Sequence, residues 1–422
     1  MKSTALRMYG KEDLRLETFE LPEIKDTEIL AHVISDSICM SSFKAAEQGA
    51  AHKRVPDDLG EDNPIIIGHE FCGEIVEVGA KWAHKFKKGD RFTIQPAINY
   101  KGSLAAPGYS YKYCGGDATY VIIPNEVMLM DALLPYKGDA FFYGSLSEPM
   151  SCIVGAFHAN YHTTPGSYVH KMGIKEGGNV AILAGAGPMG LGAIDNALHG
   201  AVKPGMVVVT DIDDARLARA ASILTPEKAA EEGIKLVYMN TKDPDSNEKL
   251  LALTDGKGYD DVFVYAPVKP VVESADKILA KDGCLNFFAG PIDPNFSALF
   301  NFYNVHYAST HVVGTSGGNT QDMRESLELM HAGRVNPASM ITHVGGLNAA
   351  RETTLNLPKI PGGKKLIYTN IDLPLTAIAD FEKAGETDPI FKKLAEITAA
   401  NNYLWCKEAE DYLLANAKPI RV

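Results

Sequence analysis

The sequence predicts an α/β protein in which a β-rich first domain is followed by a doubly wound parallel sheet. Three observations carry that expectation. Apolar and polar residues alternate in short runs through the first third. A glycine-rich turn joins an apolar run to a helix near residue 185, and beyond it apolar runs alternate with helical segments. At 422 residues the chain is also long enough for two cores, since single cores rarely grow beyond roughly 250–300 residues.

Taken in order, MKSTALRMYGKEDLRLETFELP alternates as a half-buried strand does, and ILAHVISDSICM is β-rich. FCGEIVEVGA alternates towards a glycine, KKGDRFTI turns into a strand, and DATYVIIP is a short strand closed by proline. Regular helix periodicity is scarce in this region. The character changes after SLSEPMSCIVGAFHANY. NVAILAGAGPMGLGAIDNAL and MVVVTDIDDARLARAASIL each read as strand, turn and helix, and LVYMN, DDVFVYA, CLNFFAG and THVVGTS follow as further apolar strands. DMRESLELMHAGRV reads as an amphipathic helix leaving the sheet, KKLIYTN as a strand, and the polar tail as helix-prone. The expected division is a β-rich domain over 1–155, a dinucleotide-type domain over 156–320, and a return over 321–422 that packs back on the first domain and ends in a helical extension.

Composition narrows the function. Hydrophobic content of 45% and charged content of 22% are ordinary for a globular protein. A formal charge of -12 argues against a nucleic-acid or anionic-membrane binder, yet leaves room for a small anionic substrate held by a few local cations. The N-terminus lacks the apolar core of a signal peptide, and no run approaches the roughly 20 apolar residues that span a bilayer. Six scattered cysteines without a CxxC pair do not suggest a disulfide framework, so the expected location is the cytoplasm.

In VAILAGAGPMGLGAI, Gly185, Gly187 and Gly190 stand in GxGxxG spacing, with Pro188 and Met189 between the last two. The first glycine allows the tight turn, the second lets backbone approach a pyrophosphate, and the third lets helix and strand pack closely. The helix N-terminus then offers free N–H groups to the phosphates. MVVVTD ends in Asp211, about 20 residues beyond the last glycine, where an acidic residue accepts from the ribose hydroxyls and repels a 2′-phosphate. Arg216 lies close by, but Asp211 with Asp213 and Asp214 favours NAD(H) over NADP(H).

Three segments ahead of this region carry metal-ligand chemistry. SDSICMSSFK places Cys39 after an apolar strand with Ser41 two residues on; IIIGHEFCGEIVEVG places His69 beside Glu70; SLSEPMSC places Glu148 before a proline. A catalytic zinc takes three S, N or O ligands and keeps one position open. Cys39 and His69 supply two. Neighbouring side chains on an extended chain point opposite ways, so Glu70 joins them only through a local turn; otherwise Glu148 is the third.

The order CxS, GHExxGxxxxxG (Gly68, His69, Glu70, Gly73, Gly79), GDRF, GGDATYV, SEP and GAGPMG resembles the medium-chain zinc alcohol dehydrogenases, from about residue 3 to residue 368. The resemblance implies a GroES-like catalytic domain joined to a Rossmann domain, one catalytic zinc, and hydride exchange between a nicotinamide and a secondary alcohol or ketone. Ser41 and Glu148 would serve the proton, and homodimers or homotetramers are the implied assemblies. A glutamate in SEP is similar to the sorbitol and threonine dehydrogenase branch. The loop GYSYKYCGG and the long tail look more like bacterial L-sorbose 1-phosphate reductases, which make D-glucitol 6-phosphate. The resemblance therefore implies a sugar or polyol substrate, with or without a phosphate. Lys44 and the run His52, Lys53, Arg54 are the candidate phosphate ligands.

Two departures stand out. Many members bind a structural zinc through four closely spaced cysteines, where this chain has Cys114 alone. Met40 follows Cys39 where ethanol-type enzymes often carry a basic residue. His306 and His311 near the domain return could face the cleft, but they read first as structural histidines. The competing readings are a dehydrogenase of unphosphorylated secondary alcohols, a zinc-free quinone or enone reductase, and a non-catalytic dinucleotide-binding protein. The joint presence of Cys39, His69 and Glu148 speaks against the zinc-free one.

Overall fold

A computed structural model describes residues 1–421. The chain divides into two compact units, one made of Met1–Pro149 together with the stretch from Ile341 onwards, the other of Met150–Met340.

The second unit is built on six parallel strands in the order Lys235–Asn240, Met206–Asp211, Asn179–Leu183, Tyr259–Val264, Leu279–Phe287, His311–Val313. The central strands are covered on both faces, which is why VAIL and VVV read as unbroken apolar runs rather than as alternation. Asn179–Leu183 has Met206–Asp211 on one side and Tyr259–Val264 on the other, so strand order reverses there. In open α/β sheets that reversal is where a dinucleotide binds.

The first unit holds a mixed eight-stranded sheet whose middle is Ile29–Ile38. One side of this strand pairs with Phe71–Val78. The other side pairs with Tyr120–Ile123 along its first half and with the returning strand Lys364–Tyr368 along its second. Ile29, Ala31 and Val33 enter one apolar core with Phe71, Phe92 and Val121. Both flanking strands run antiparallel to Ile29–Ile38, with Asp36 opposite Phe71 and Ile38 opposite Lys365. The end of the middle strand and the beginnings of its neighbours therefore meet at one edge, bringing Cys39, Glu70 and Lys364 together from three distant stretches of chain.

Helix is more abundant in the first third than alternation suggested. Met40–Gln48 is helical, and Glu148–Pro149 lies inside a nineteen-residue helix, Phe141–Ala159. A proline there removes one intrahelical donor, and the polar SLSEP stretch disguises a helix that is otherwise apolar and well buried. The C-terminal tail forms the helices Pro389–Ala400 and Lys407–Asn416. Among the described residues no helix is long and apolar enough to cross a membrane.

Candidate active site

Cys39 ends the middle strand's run and caps the helix Met40–Gln48. His69 and Glu70 precede Phe71–Val78 in a stretch turned by Gly68, whose φ of 91° favours glycine. A Cβ there would also stand 2.1 Å from Asp36 Oδ2. This is the local turn that lets adjacent His69 and Glu70 face one point. Donor atoms of Cys39, His69 and Glu70 all lie within 4.8 Å of one another, and among the described residues this is the set that meets that condition. A thiol, an imidazole and a carboxylate form a donor set that suits zinc. Glu148, also buried, is close enough to feel the charges of Glu70, His69 and Cys39.

Hydrogen bonds fix each side chain of the cluster. Ser42 Oγ lies 3.2 Å from His69 Nδ1, so Nε2 is the nitrogen turned towards Cys39. Such a partner on the far nitrogen sets the tautomer of a metal-binding histidine. Ser41 Oγ donates to Cys39 Sγ at 3.0 Å and lies 3.3 Å from His69 Nε2. Glu70 is gripped by Lys364 Nζ, at 2.5 Å and 2.7 Å from its two oxygens, and by the Ser37 hydroxyl. Asp36 Oδ1 accepts from Glu70 N at 3.0 Å.

Burial governs the ionisation of this cluster. It pushes His69 down, which keeps the imidazole neutral and able to ligate, and it pushes the Cys39 thiol up against the opposing pull of Lys364. Burial, then the nearby charge of Glu70, pushes Glu148 up to about 7.

Two members of this cluster were not evident from the sequence. Lys364 sits at the head of KKLIYTN, where a lysine normally marks a solvated strand end, yet its side chain is almost wholly enclosed. Tyr109 comes from the GYSYKYCGG loop, and its hydroxyl lies 3.1 Å from His69 Nε2. Only the unusual length of that loop hinted at a role. Cys114 at the loop's end is buried in the apolar core.

The glycine turn lies in the second unit. Gly187 caps the helix Pro188–His199 with Pro188 at its first turn and no side chain bonded into the cap. A Cβ on Gly187 would meet nothing within 4 Å, whereas one on Gly190 would stand 2.0 Å from the Gly185 carbonyl oxygen. The open side and the close approach are the two features a pyrophosphate cradle needs. Met189 follows Pro188 in the same helical turn. Asp211 ends its strand with Oδ1 accepting from Ile212 N and Asp213 N, and Oδ2 from Ala186 N of the glycine turn at 3.3 Å. Arg216 is exposed and lies 3.9 Å from Asp213, which caps the helix Asp214–Ile223. His311 is held by the Tyr161 carbonyl at 2.6 Å. His306 lies in the short helix Phe302–Tyr307.

A parallel sheet with a dinucleotide turn, and a GroES-like unit bearing a Cys–His–Glu cluster, define a medium-chain dehydrogenase. Comparison with known proteins specifies it further. Residues 25–132 match the alcohol dehydrogenase GroES-like domain and residues 188–332 the zinc-binding dehydrogenase domain. The uncharacterized protein YggP of Escherichia coli K12 is 58% identical over 416 residues, covering 98% of this chain and 97% of that protein. Mannitol-1-phosphate 5-dehydrogenase of Aliivibrio fischeri is 55% identical over 414 residues, 98% of this chain and 97% of that one. L-sorbose 1-phosphate reductase of Klebsiella pneumoniae is 53% identical over 418 residues, 99% and 98% of the two chains. Among solved structures, 2R,3R-butanediol dehydrogenase of Bacillus subtilis superposes with a TM-score of 0.69 at 22% identity, over 87% of this chain and all of that one. At that identity the likeness concerns the fold. The chain belongs to the medium-chain zinc-dependent polyol dehydrogenase family.

Proposed function

We propose that the protein is a zinc-dependent, NAD(H)-linked oxidoreductase that interconverts a ketose phosphate and a polyol phosphate, reducing L-sorbose 1-phosphate to D-glucitol 6-phosphate. The observation that carries the reading is the convergence of Cys39, His69 and Glu70 donor atoms within 4.8 Å of one another. The two relatives named for sugar-phosphate chemistry support the substrate class.

Cys39, His69 and Glu70 would hold the zinc, with Glu148 beside them as an alternative oxygen donor. A zinc ion supplies Lewis acidity that polarises a carbonyl, and a nicotinamide supplies the hydride. The protein's own groups do the rest. Ser42 fixes the His69 ring, and Lys364 and Ser37 fix Glu70. Ser41, touching both Cys39 and His69, is placed to pass the alcohol proton, and Glu148 is a buried carboxyl that exchanges it. Gly185, Gly187 and Gly190 cradle the pyrophosphate through the turn that Pro188 and Met189 continue. Asp211, held as an acceptor by three backbone N–H groups, receives the ribose hydroxyls and disfavours a 2′-phosphate. Arg216 flanks that site from the exposed helix end.

The 55% relative favours a second reading, oxidation of mannitol 1-phosphate. Zinc-loaded enzyme assayed with NADH and NADPH on L-sorbose 1-phosphate, and with both oxidised cofactors on D-mannitol 1-phosphate and D-glucitol 6-phosphate, separates the two. Faster oxidation of the mannitol ester than of the glucitol ester would move the assignment to the second reading. Activity unaffected by zinc removal would sink both.

A further inference from the structure

The protein carries a net charge of -12, yet the wall next to the Cys39–His69–Glu70 cluster is basic. The helix Met40–Gln48 places Lys44 one turn beyond Ser41, on the same face, and Lys44 is near enough to Cys39 for their charges to interact. The turn after this helix brings His52 and Arg54 to Tyr109. The His52 ring stacks on the Tyr109 ring at 5.8 Å with an interplanar angle of 8°, and the Arg54 guanidinium carbon lies 5.8 Å from the same ring centroid. The other end of that ring is the hydroxyl that approaches His69 Nε2. One aromatic side chain thus spans from the metal cluster to two basic groups.

The arrangement is built rather than incidental. Ser110 Oγ donates to the Arg54 carbonyl at 2.6 Å and accepts from Ala106 N, while Arg54 Nη1 donates to the Leu104 carbonyl at 2.9 Å. These bonds pin the Tyr109 loop to the His52–Arg54 turn. Arg54 N donates to His52 Nδ1, which leaves the proton of a neutral His52 on Nε2 as a donor. Burial, then the positive charges of Arg54, Lys53 and Lys44, push His52 down to about 4, so it remains that neutral donor. Lys53, between them in sequence, is exposed and faces solvent.

We propose that Lys44, His52 and Arg54 form an anion subsite beside the metal cluster that receives the phosphate group of a phosphorylated sugar or polyol, with Tyr109 as the positioning platform between the two. A guanidinium fork, an ammonium and an imidazole N–H match the several acceptor oxygens of a phosphate monoester. The inference rests on the sugar-phosphate reading above and specifies which residues select that substrate. Of the four basic candidates in the sequence, it retains three and drops Lys53.

The test uses full-length, zinc-loaded protein as wild type, Arg54→Met, Arg54→Lys and Lys44→Met, with zinc content and melting temperature recorded for each. Steady-state kinetics compare L-sorbose 1-phosphate and D-mannitol 1-phosphate with unphosphorylated sorbose and mannitol. Losing one charge-assisted contact is expected to lower kcat/KM for the phosphate esters by about 10- to 100-fold, mainly through KM. The ratio of phosphorylated to unphosphorylated kcat/KM should collapse in both Met variants and recover in part in Arg54→Lys. Folded, zinc-replete variants that keep the wild-type ratio would overturn the subsite and leave the substrate class standing. A wild type that prefers the unphosphorylated sugars would overturn the substrate class and the subsite with it. If no sugar is turned over, calorimetric titration with inorganic phosphate decides: binding to wild type that is lost in Arg54→Met supports the subsite, and no binding to wild type overturns it.

Discussion

Two glutamates, each about 1% exposed, bond to opposite ends of the strand Lys364–Tyr368, and they are satisfied in different ways. Glu70, beside Cys39 and His69, meets a cation: both its oxygens accept from Lys364 Nζ, and Ser37 adds a hydroxyl. Glu410, in the helix Lys407–Asn416, meets dipoles. It accepts from Phe141 N at 2.6 Å and Phe142 N at 3.0 Å, the first donors of the helix that carries Glu148, and from the Tyr368 hydroxyl at 2.7 Å. Trp405 Nε1 donates in turn to that hydroxyl at 2.8 Å. A charge neutralised by another charge can exchange partners when a metal arrives. A charge absorbed by helix N–H groups is a fixed clamp. The tail therefore anchors the start of the Glu148 helix and, through Tyr368, the strand that begins with Lys364.

The largest effect is expected at Lys364. Lys364→Met leaves the Glu70 carboxylate buried without its cation, and removing one partner of a buried pair costs about 3–5 kcal/mol. Denaturant unfolding of the zinc-free protein should show that loss, and Lys364→Met with Glu70→Gln should recover part of it. Zinc should raise the melting temperature of Lys364→Met by more than that of wild type, because the metal becomes the cation Glu70 lacks. Equal zinc shifts in the two proteins would mean that Glu70 does not exchange partners.

A smaller effect is expected at the clamp. Glu410→Ala strands two helix N–H groups and the Tyr368 hydroxyl, at a cost of about 2–3 kcal/mol. Because Glu148 rides on the helix thus loosened, kcat should fall with little change in zinc content. A variant that lost stability but kept wild-type kcat would show that the clamp serves the fold alone.

The glycine turn and the Cys39–His69–Glu70 cluster differ in how far the sequence reveals them, and the reason is distance along the chain. Gly185, Gly187, Gly190 and Asp211 lie within one strand–turn–helix–strand unit, so their spacing is their geometry. Cys39, His69 and Glu70 were legible as donors, but whether Glu70 or Glu148 stood closest depended on the Gly68 turn and on strand pairing. Lys364 and Glu410 had no local signal. A lysine at a strand head and a glutamate on a charged C-terminal helix are ordinary surface residues in sequence, and only the return of the chain past Ile341 buries them. Tyr109 was hidden for the same reason, on a loop whose target is 40 residues away.

A third buried acid sharpens the contrast, since it has neither a cation nor a set of helix dipoles. Asp36 and Asp117 face each other across Gly68, and Asp36 Oδ2 and Asp117 Oδ1 have no other donor among the described residues. One proton shared between the two carboxyls satisfies both. Burial pushes Asp117 up to about 7, and burial with the charges of Asp117 and Glu70 pushes Asp36 well up. The native state therefore holds a proton that the unfolded chain releases near pH 4. Stability from this pair is complete below that pH and declines as pH rises, the Asp117 share being lost through about 7. Asp117→Asn replaces the shared proton with an amide donor that does not titrate. Between pH 6 and pH 8 wild type should lose about 1 kcal/mol more than Asp117→Asn, read as the difference in unfolding midpoints. Parallel pH profiles for the two proteins would mean that the pair is neutralised by some means other than a shared proton.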